Sequence, residues 1–183
     1  MRKVIAGLFV TLDGATQRPE QWQGPYMDAE LGQLLGATMA EADTVLLGRR
    51  TYEEWAAFWP HQGDENPFAA QINAAPKLVA STTLETVAWS NSRLIRGDVV
   101  EELATLKQKP GKNILINGSA TLVRSLINAG ALDELRLLLH PVVVDGDGSR
   151  RLFEGVAPTT MNLEQARSLS SGVVSLTYRP ARA

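Results

Sequence analysis

Residues 43–52 read Asp-Thr-Val-Leu-Leu-Gly-Arg-Arg-Thr-Tyr, and this stretch decides the fold. The short apolar run Thr44–Leu47 is typical of a buried strand, and Gly48 ends it. The next segment, Thr51–Phe58, has a helical pattern until Pro60 stops it. A strand that leads directly into a helix is the repeating unit of an α/β protein.

The rest of the chain alternates between the same two patterns, and strands alone finish it. This order predicts an α/β fold in one domain, residues 1–183, with a mostly parallel sheet and antiparallel C-terminal strands. The further predicted helices are Met27–Ala42, Phe68–Ala75 (one or two turns), Val99–Lys107 and Ser119–Asn128. The further predicted strands are Val4–Leu12, Lys77–Ser81, Trp89–Ile95, Asn113–Asn117, Glu134–Val144 and two strands within Met161–Arg179.

The composition excludes several kinds of site. The chain has 183 residues, 44% of them hydrophobic, and a formal net charge of −2. It has no cysteine, which excludes disulfides, thiolate zinc sites, iron–sulfur clusters and a cysteine nucleophile. His61 and His140 are the two histidines, so we predict no metal site.

The charge and hydropathy patterns also argue against two kinds of partner. A slightly acidic chain lacks the basic balance of a general nucleic-acid binder. No apolar run approaches the roughly 20 residues of a membrane span. The segment Met1–Ala6 enters a strand directly, without the core of a signal peptide. We therefore expect a soluble, cytoplasmic protein with a small-molecule substrate.

Two predicted strand-to-helix junctions have the character of anion sites. A helix N-terminus offers unpaired N–H groups and a positive dipole end, which suit a phosphate. At the first junction Arg49 and Arg50 add fork-shaped donors, although the alternative is a solvated arginine pair with Thr51 as an ordinary cap. The second junction does not match the nucleoside-triphosphate loop. It consists of Asn117, Gly118, Ser119, Ala120 and Thr121.

Three other segments are candidates for contact with a substrate. Asp13, in the Asp-Gly turn after the first strand, is either a plain turn residue or a proton donor. Trp22 and Tyr26 lie in a polar loop, where a ligand lid would give the Trp22 ring a surface to bury against. Asp145 and Asp147 lie in a loop that lacks the glycine and glutamate of a calcium site, so a flexible substrate-contacting loop is the better interpretation.

Taken together and in order, these segments resemble the dihydrofolate reductase-like fold, a three-layer α/β/α arrangement. The closer resemblance is to the reductase domain at the C-terminus of the bifunctional riboflavin-biosynthesis deaminase/reductase, and to standalone bacterial proteins of that group. It spans nearly the whole chain. It rests on Val10–Gly14, residues 43–52, Pro76–Ser81, Ile116–Ser119, Asp133–Val142 and Arg151–Phe153.

The resemblance implies NADPH as the cofactor. Gly48, Arg49, Arg50 and Thr51 would hold its phosphates. Ser81 and Thr82 would lie near the adenosine end, where the 2′-phosphate distinguishes NADPH from NADH. The second junction, Asn117 to Thr121, would cradle the pyrophosphate. Together with the apolar run Leu135–Val144, the resemblance also predicts a homodimer.

The leading hypothesis is an NADPH-dependent reductase that transfers hydride to a small heterocyclic or ribosylamino-pyrimidine substrate. Asp13 is the first candidate for protonating that substrate, provided that burial raises its pKa. One alternative is an NADP(H)-binding protein of the same fold without turnover, which the acidic Asp145–Ser149 loop suggests. Another is a dihydrofolate reductase acting on pterins, with Asp28 or Glu30 as the pocket carboxylate.

Overall fold

The computed structural model describes residues 1–63, 65–144 and 151–181, which form five α-helices and one eight-stranded sheet. None of the helices in these ranges has the length and apolar character needed to cross a bilayer. The helices are α1 (Ala29–Ala40), α2 (Arg49–Phe58), α3 (Pro67–Ala74), α4 (Val99–Lys107) and α5 (Ala120–Asn128). The strands are β1 (Val4–Thr11), β2 (Ala42–Gly48), β3 (Lys77–Ala80), β4 (Ser92–Ile95), β5 (Asn113–Asn117), β6 (Glu134–His140), β7 (Met161–Ser168) and β8 (Val174–Pro180).

The strand order is β4-β3-β2-β5-β1-β6-β8-β7. Every pair from β4 to β6 is parallel, whereas β8 runs antiparallel to β6, and β7 antiparallel to β8. The predicted mostly parallel sheet with antiparallel C-terminal strands is therefore confirmed. Because β3, β2, β5 and β1 are parallel, their carboxyl ends meet at one edge of the sheet, where open α/β sheets bind ligands.

Helices cover both faces of the sheet and produce three layers. Along β1, alternate side chains point to opposite faces, as the period of two in a strand requires. Val4, Ala6 and Leu8 pack in one core with residues of α4 and α5. Ile5 belongs to a second core with residues of α1, α2 and α3, and Phe9 packs against a third cluster that includes α1.

The boundaries differ from the sequence prediction at a few places. Helix α2 begins at Arg49 rather than Thr51, so both arginines lie in its first turn. Strand β6 ends at His140, because Pro141 follows and has no N–H to continue the ladder. Strand β4 begins only at Ser92, since the N–H groups of Ala88 and Trp89 donate to the Tyr52 hydroxyl instead of a neighbouring strand.

Candidate functional site

Helices α2 and α5 begin side by side, because they follow the adjacent parallel strands β2 and β5. Two hydrogen bonds join the junctions. The backbone N–H of Gly48 donates to the Ser119 hydroxyl over 2.9 Å. The backbone N–H of Ser119 donates to Thr51 Oγ1 over 3.2 Å. Thr51 is therefore a bridge between the two junctions rather than the cap of its own helix.

These two helices also differ from the other three in how they begin. The side chains of Asp28, Asn66 and Asp98 accept hydrogen bonds from first-turn N–H groups and so cap α1, α3 and α4. Helix α2 has Gly48 at its N-cap, which has no side chain to offer. Helix α5 has Ser119 there, but its hydroxyl bonds to Gly48 instead. Both helices thus keep uncapped, positively polarised ends, the arrangement that favours an anion.

The backbone before α5 turns sharply to make this contact. Gly118 has φ +64° and Ser119 has φ 54°, so two successive residues are left-handed. Glycine adopts this conformation without cost, whereas a serine pays about 1–2 kcal/mol. The two hydrogen bonds of Ser119 hold it there. Local strain maintained by neighbouring contacts is typical of functional sites.

The two arginines of α2 differ in what they contact. Arg49 makes an exposed ion pair with Glu53 over 2.9 Å. Arg50 has no hydrogen-bond or ion-pair partner among the described residues, although its charge acts on Glu54, where burial raises the pKa of the carboxyl and Arg50 lowers it. Of the two guanidinium groups, that of Arg50 is therefore available to bind a phosphate.

The structure brings the predicted cofactor residues together in a single cleft, whose volume of about 2380 Å³ is more than twice that of ordinary ligand pockets, at most about 1,000 Å³. The Ser81 hydroxyl there accepts hydrogen bonds from the N–H groups of Thr83 and Leu84 and shapes the turn after β3. The predicted residues that line the cleft are Gly48, Arg49, Arg50, Thr51, Ser81, Thr82, Asn117, Gly118, Ser119, Ala120 and Thr121.

Asp13 lies in an ion pair instead of a pocket that raises its pKa. Its carboxylate accepts a hydrogen bond from Thr11 Oγ1 over 2.6 Å and lies 3.0 Å from Arg151 Nη2. The hydrogen bond from Thr11, followed by that from the Val144 N–H and the charge of Arg151, lowers the pKa of Asp13 against the opposing effect of burial. The expected rise is thus replaced by a shift in the other direction, because these partners stabilise the ionised form.

Trp22 and Tyr26 pack on the protein itself. Their rings lie 5.0 and 5.5 Å from the imidazole of His140, which is fully buried between them and Phe9. The Trp22 indole N–H donates to the carbonyl oxygen of Gln17. His140 therefore provides a surface that buries Trp22, and contact of Trp22 or Tyr26 with a substrate stays a prediction. From the same loop, Thr16, Gln17, Arg18, Pro19 and Gln23 line the cleft instead.

His140 is a buried group whose environment the sequence did not reveal. Its Nδ1 lies 2.8 Å from the Leu138 carbonyl oxygen, and its Nε2 has no hydrogen-bond partner among the described residues. Burial lowers the pKa of His140, which keeps the imidazole neutral. Asp145 and Asp147 lie outside the described residues, so their contact with substrate stays a prediction.

Sequence reasoning also missed one wall of the cleft. Glu54, Trp55, Trp59 and Phe68 line it, and the three aromatic side chains also pack against the core. The helical spacing of Thr51, Trp55 and Trp59 was the available signal, since residues four apart share one face of a helix.

The strand order, the three layers and the paired helix starts define a dihydrofolate reductase-like α/β protein. A family model described as the RibD C-terminal domain matches residues 2–175. The uncharacterized protein YyaP of Bacillus subtilis (strain 168) is 31% identical over 181 residues, which cover 97% of this chain and 94% of YyaP. The chain belongs to the RibD C-terminal domain family, whose characterised members are riboflavin-pathway reductase domains.

Solved structures share the fold at lower identity. A pyrimidine reductase-like protein from Corynebacterium diphtheriae is 15% identical, with a TM-score of 0.71 over 100% of this chain and 93% of that one. A diaminohydroxyphosphoribosylaminopyrimidine deaminase/5-amino-6-(5-phosphoribosylamino)uracil reductase from Thermotoga maritima is 14% identical, with a TM-score of 0.68 over 98% of this chain and 57% of that one. Both likenesses concern the fold.

Proposed function

We propose that the protein is an NADPH-dependent reductase that transfers hydride to a small heterocyclic or ribosylamino-pyrimidine substrate. One observation carries the proposal: hydrogen bonds join the uncapped starts of α2 and α5 at the carboxyl ends of β2 and β5, and Arg50, which has no ion-pair partner among the described residues, lies in the first turn of α2. Membership of a family of reductase domains supports the reaction type.

The residues present fit a dinucleotide phosphate. The first turns of α2 and α5 would donate backbone N–H groups to the pyrophosphate, and Gly48 and Gly118 keep side chains away from it. Arg50 would supply a charged donor to a phosphate oxygen. When bound, the nicotinamide supplies the hydride, so the protein needs to contribute binding, orientation and exclusion of water.

The proton that accompanies the hydride needs another source. Asp13 remains the candidate proposed from the sequence, but its ion pair with Arg151 favours the ionised carboxylate. We therefore propose water as the proton source while that ion pair is intact. A variant with Asp13→Asn would then keep its turnover at neutral pH, whereas loss of turnover in that variant would restore Asp13 as the donor.

Cofactor titration followed by a substrate screen tests the function. We expect NADPH fluorescence to change on titration with the purified protein, and NADPH to be oxidised in the presence of one member of a panel of pyrimidines and pterins. Absence of both binding and oxidation would contradict the proposal.

The paired state of Asp13 also favours a second function, an NADP(H)-binding protein without turnover. Tight NADPH binding with no oxidation across the whole panel would support that function. Rapid turnover of any one compound would exclude it.

A further inference from the structure

Three aromatic side chains form a continuous wall of the cleft beyond the helix starts. Trp55 lies in the last turns of α2, Trp59 is the residue that caps the C-terminal end of that helix, and Phe68 lies at the start of α3. The ring centroids are 6.0 Å apart for Trp55 and Trp59, 4.8 Å for Trp59 and Phe68, and 6.3 Å for Trp55 and Phe68. Each ring is half-buried, so it packs on the core and still lines the cleft. We call these three residues the aromatic wall.

The four tryptophans of the chain fall into two pairs. Trp22 and Trp89 are buried, and their indole N–H groups donate to Gln17 O and Asn73 Oδ1. Trp55 and Trp59 are half-buried, and their indole N–H groups have no hydrogen-bond partner within the described part of the chain. A tryptophan with a packed ring and a free N–H is suited to a ligand that has both a flat face and acceptor atoms.

The charges around the aromatic wall are mostly negative. Glu54 precedes Trp55 and lines the same cleft. Partial removal from water and the negative charge of Glu20 raise the pKa of Glu54, Arg50 lowers it, and Glu53 raises it further. Arg49 is paired with Glu53, and Arg18, which lines the same cleft, is also engaged in an interaction of its own. A phosphate at this wall would meet like charge, with Arg50 already assigned to the cofactor.

We propose that the aromatic wall binds the substrate, and that the substrate is a planar fused-ring heterocycle, neutral or cationic, without a phosphate group. The ring would stack on Trp55, Trp59 and Phe68, and its acceptor atoms would take the free indole N–H groups. The inference rests on the proposed function and narrows it, because it excludes the phosphoribosyl form of a pyrimidine as the preferred substrate.

Riboflavin and its phosphate ester, flavin mononucleotide, are a matched pair of probes, because they share one fused ring and differ by one phosphate. Both would be titrated with protein saturated with NADP⁺, so that the cofactor site is filled and no hydride is present. Stacking on tryptophan quenches flavin fluorescence. We expect riboflavin to bind and flavin mononucleotide to bind at least tenfold more weakly.

Substitutions in the aromatic wall test whether riboflavin binds there. Trp55→Leu and Trp59→Leu should each weaken riboflavin binding about tenfold, since stacking on an aromatic side chain contributes at that level. Trp55→Phe and Trp59→Phe keep an aromatic ring for core packing and should weaken riboflavin binding about threefold. Phe153→Leu is the matched control, because Phe153 is an exposed aromatic that does not line the cleft. Glu54→Gln should reduce the difference in affinity between riboflavin and flavin mononucleotide.

The outcomes separate the wall from the cofactor site. Unchanged NADP⁺ affinity, with riboflavin binding weakened about tenfold in the Leu variants and about threefold in the Phe variants, supports the inference. Equal binding of the two flavins, or binding that survives both Phe variants unchanged, overturns it. Failure of NADP⁺ to bind the unaltered protein would instead contradict the proposed function and would be seen in a separate titration.

Discussion

Arg49 and Arg50 are neighbours in the sequence, but among the described residues only Arg49 has an ion-pair partner, Glu53. We expect Arg50→Ala to weaken NADPH binding more than NADH binding, by about 1–3 kcal/mol for the loss of a charged hydrogen bond. Fluorescence titration with both cofactors measures the difference. Arg49→Ala is the control and should have a smaller effect. Equal losses for NADPH and NADH in the Arg50 variant would separate Arg50 from the 2′-phosphate.

The hydrogen bond from Thr11, with smaller effects of the Val144 N–H and the Arg151 charge, stabilises the ionised Asp13 and so predicts a change in acid stability. Its pKa is lowered in the folded protein, so its contribution to stability is complete above the ordinary value of 3.8 and is lost as the pH falls through the lowered value. Asp13→Asn should therefore flatten the acid limb of a plot of unfolding free energy against pH. Urea unfolding between about pH 2 and pH 6 would show it, and parallel acid limbs for the two proteins would contradict it.

The sequence predicted the positions of the candidate cofactor residues in the fold, but it did not predict which groups each side chain contacts. Gly48 and Ser119 could be placed at strand ends because the local pattern marks a strand followed by a helix. The pairing of Asp13 with Arg151 joins residues far apart in the chain, and no local pattern encodes it. The same holds for Trp22 on His140, since the burial of one ring depends on the position of the other.

At the scale of elements, the C-terminal end of α3 depends on one buried lysine. Lys77 Nζ donates to the carbonyl oxygens of Ile72, Asn73 and Ala75 at 2.7–3.1 Å, and it lies 4.4 Å from the Trp89 ring centroid. A positive charge at this end of a helix complements the helix dipole. Burial opposes that charge and lowers the pKa of Lys77 to about 8.

This lysine predicts stability that rises with pH. Between about 8 and 10.5 the unfolded chain binds more protons at Lys77 than the folded protein does, so the free energy of unfolding increases with pH. Lys77→Met removes the titrating group and should reduce that increase. Urea unfolding at several pH values in this window measures both proteins. If their slopes agree, Lys77 keeps an ordinary pKa in the folded state.

The hydrogen bonds that join the starts of α2 and α5 lead to a second prediction at the scale of elements. Ser119→Ala removes the acceptor for the Gly48 N–H and keeps a side chain at φ 54°, so we expect a loss of about 1–3 kcal/mol of stability. Ser119→Gly loses the same bond but relieves the strained conformation, and should cost about 1 kcal/mol less. Chemical unfolding compares the two variants. A glycine variant less stable than the alanine variant would show that the turn is not strained.

The element pattern was largely predictable, and the reason is physical. Helices α4 and α5 and strands such as β5 match their predicted segments closely, because capping residues and apolar periodicity act locally. One boundary was missed because a distant group intervenes: the N–H of Trp89 donates to the hydroxyl of Tyr52. The joined starts of α2 and α5 were not predictable, since they depend on which strands are neighbours.

At the scale of the whole molecule, the apolar character of strand β6 can be explained without a dimer. It lies between β1 and β8, so its Leu-rich sequence reflects an interior position in the sheet. The homodimer therefore remains a prediction from the family resemblance. Light scattering at micromolar concentration should give twice the chain mass, whereas the mass of a single chain would refute it.

The central position of β1 in the sheet has a consequence for folding during synthesis. Its two neighbours are β5 and β6, so Val4 lies opposite Ile114 and Ile5 opposite Glu134. A ribosome that adds about 5–20 residues per second leaves this apolar strand without its partners for on the order of 10 s. During that time it is an exposed β-prone segment that can join other nascent chains. We therefore expect newborn protein to depend on chaperones, and its soluble yield to rise when chaperones are overproduced.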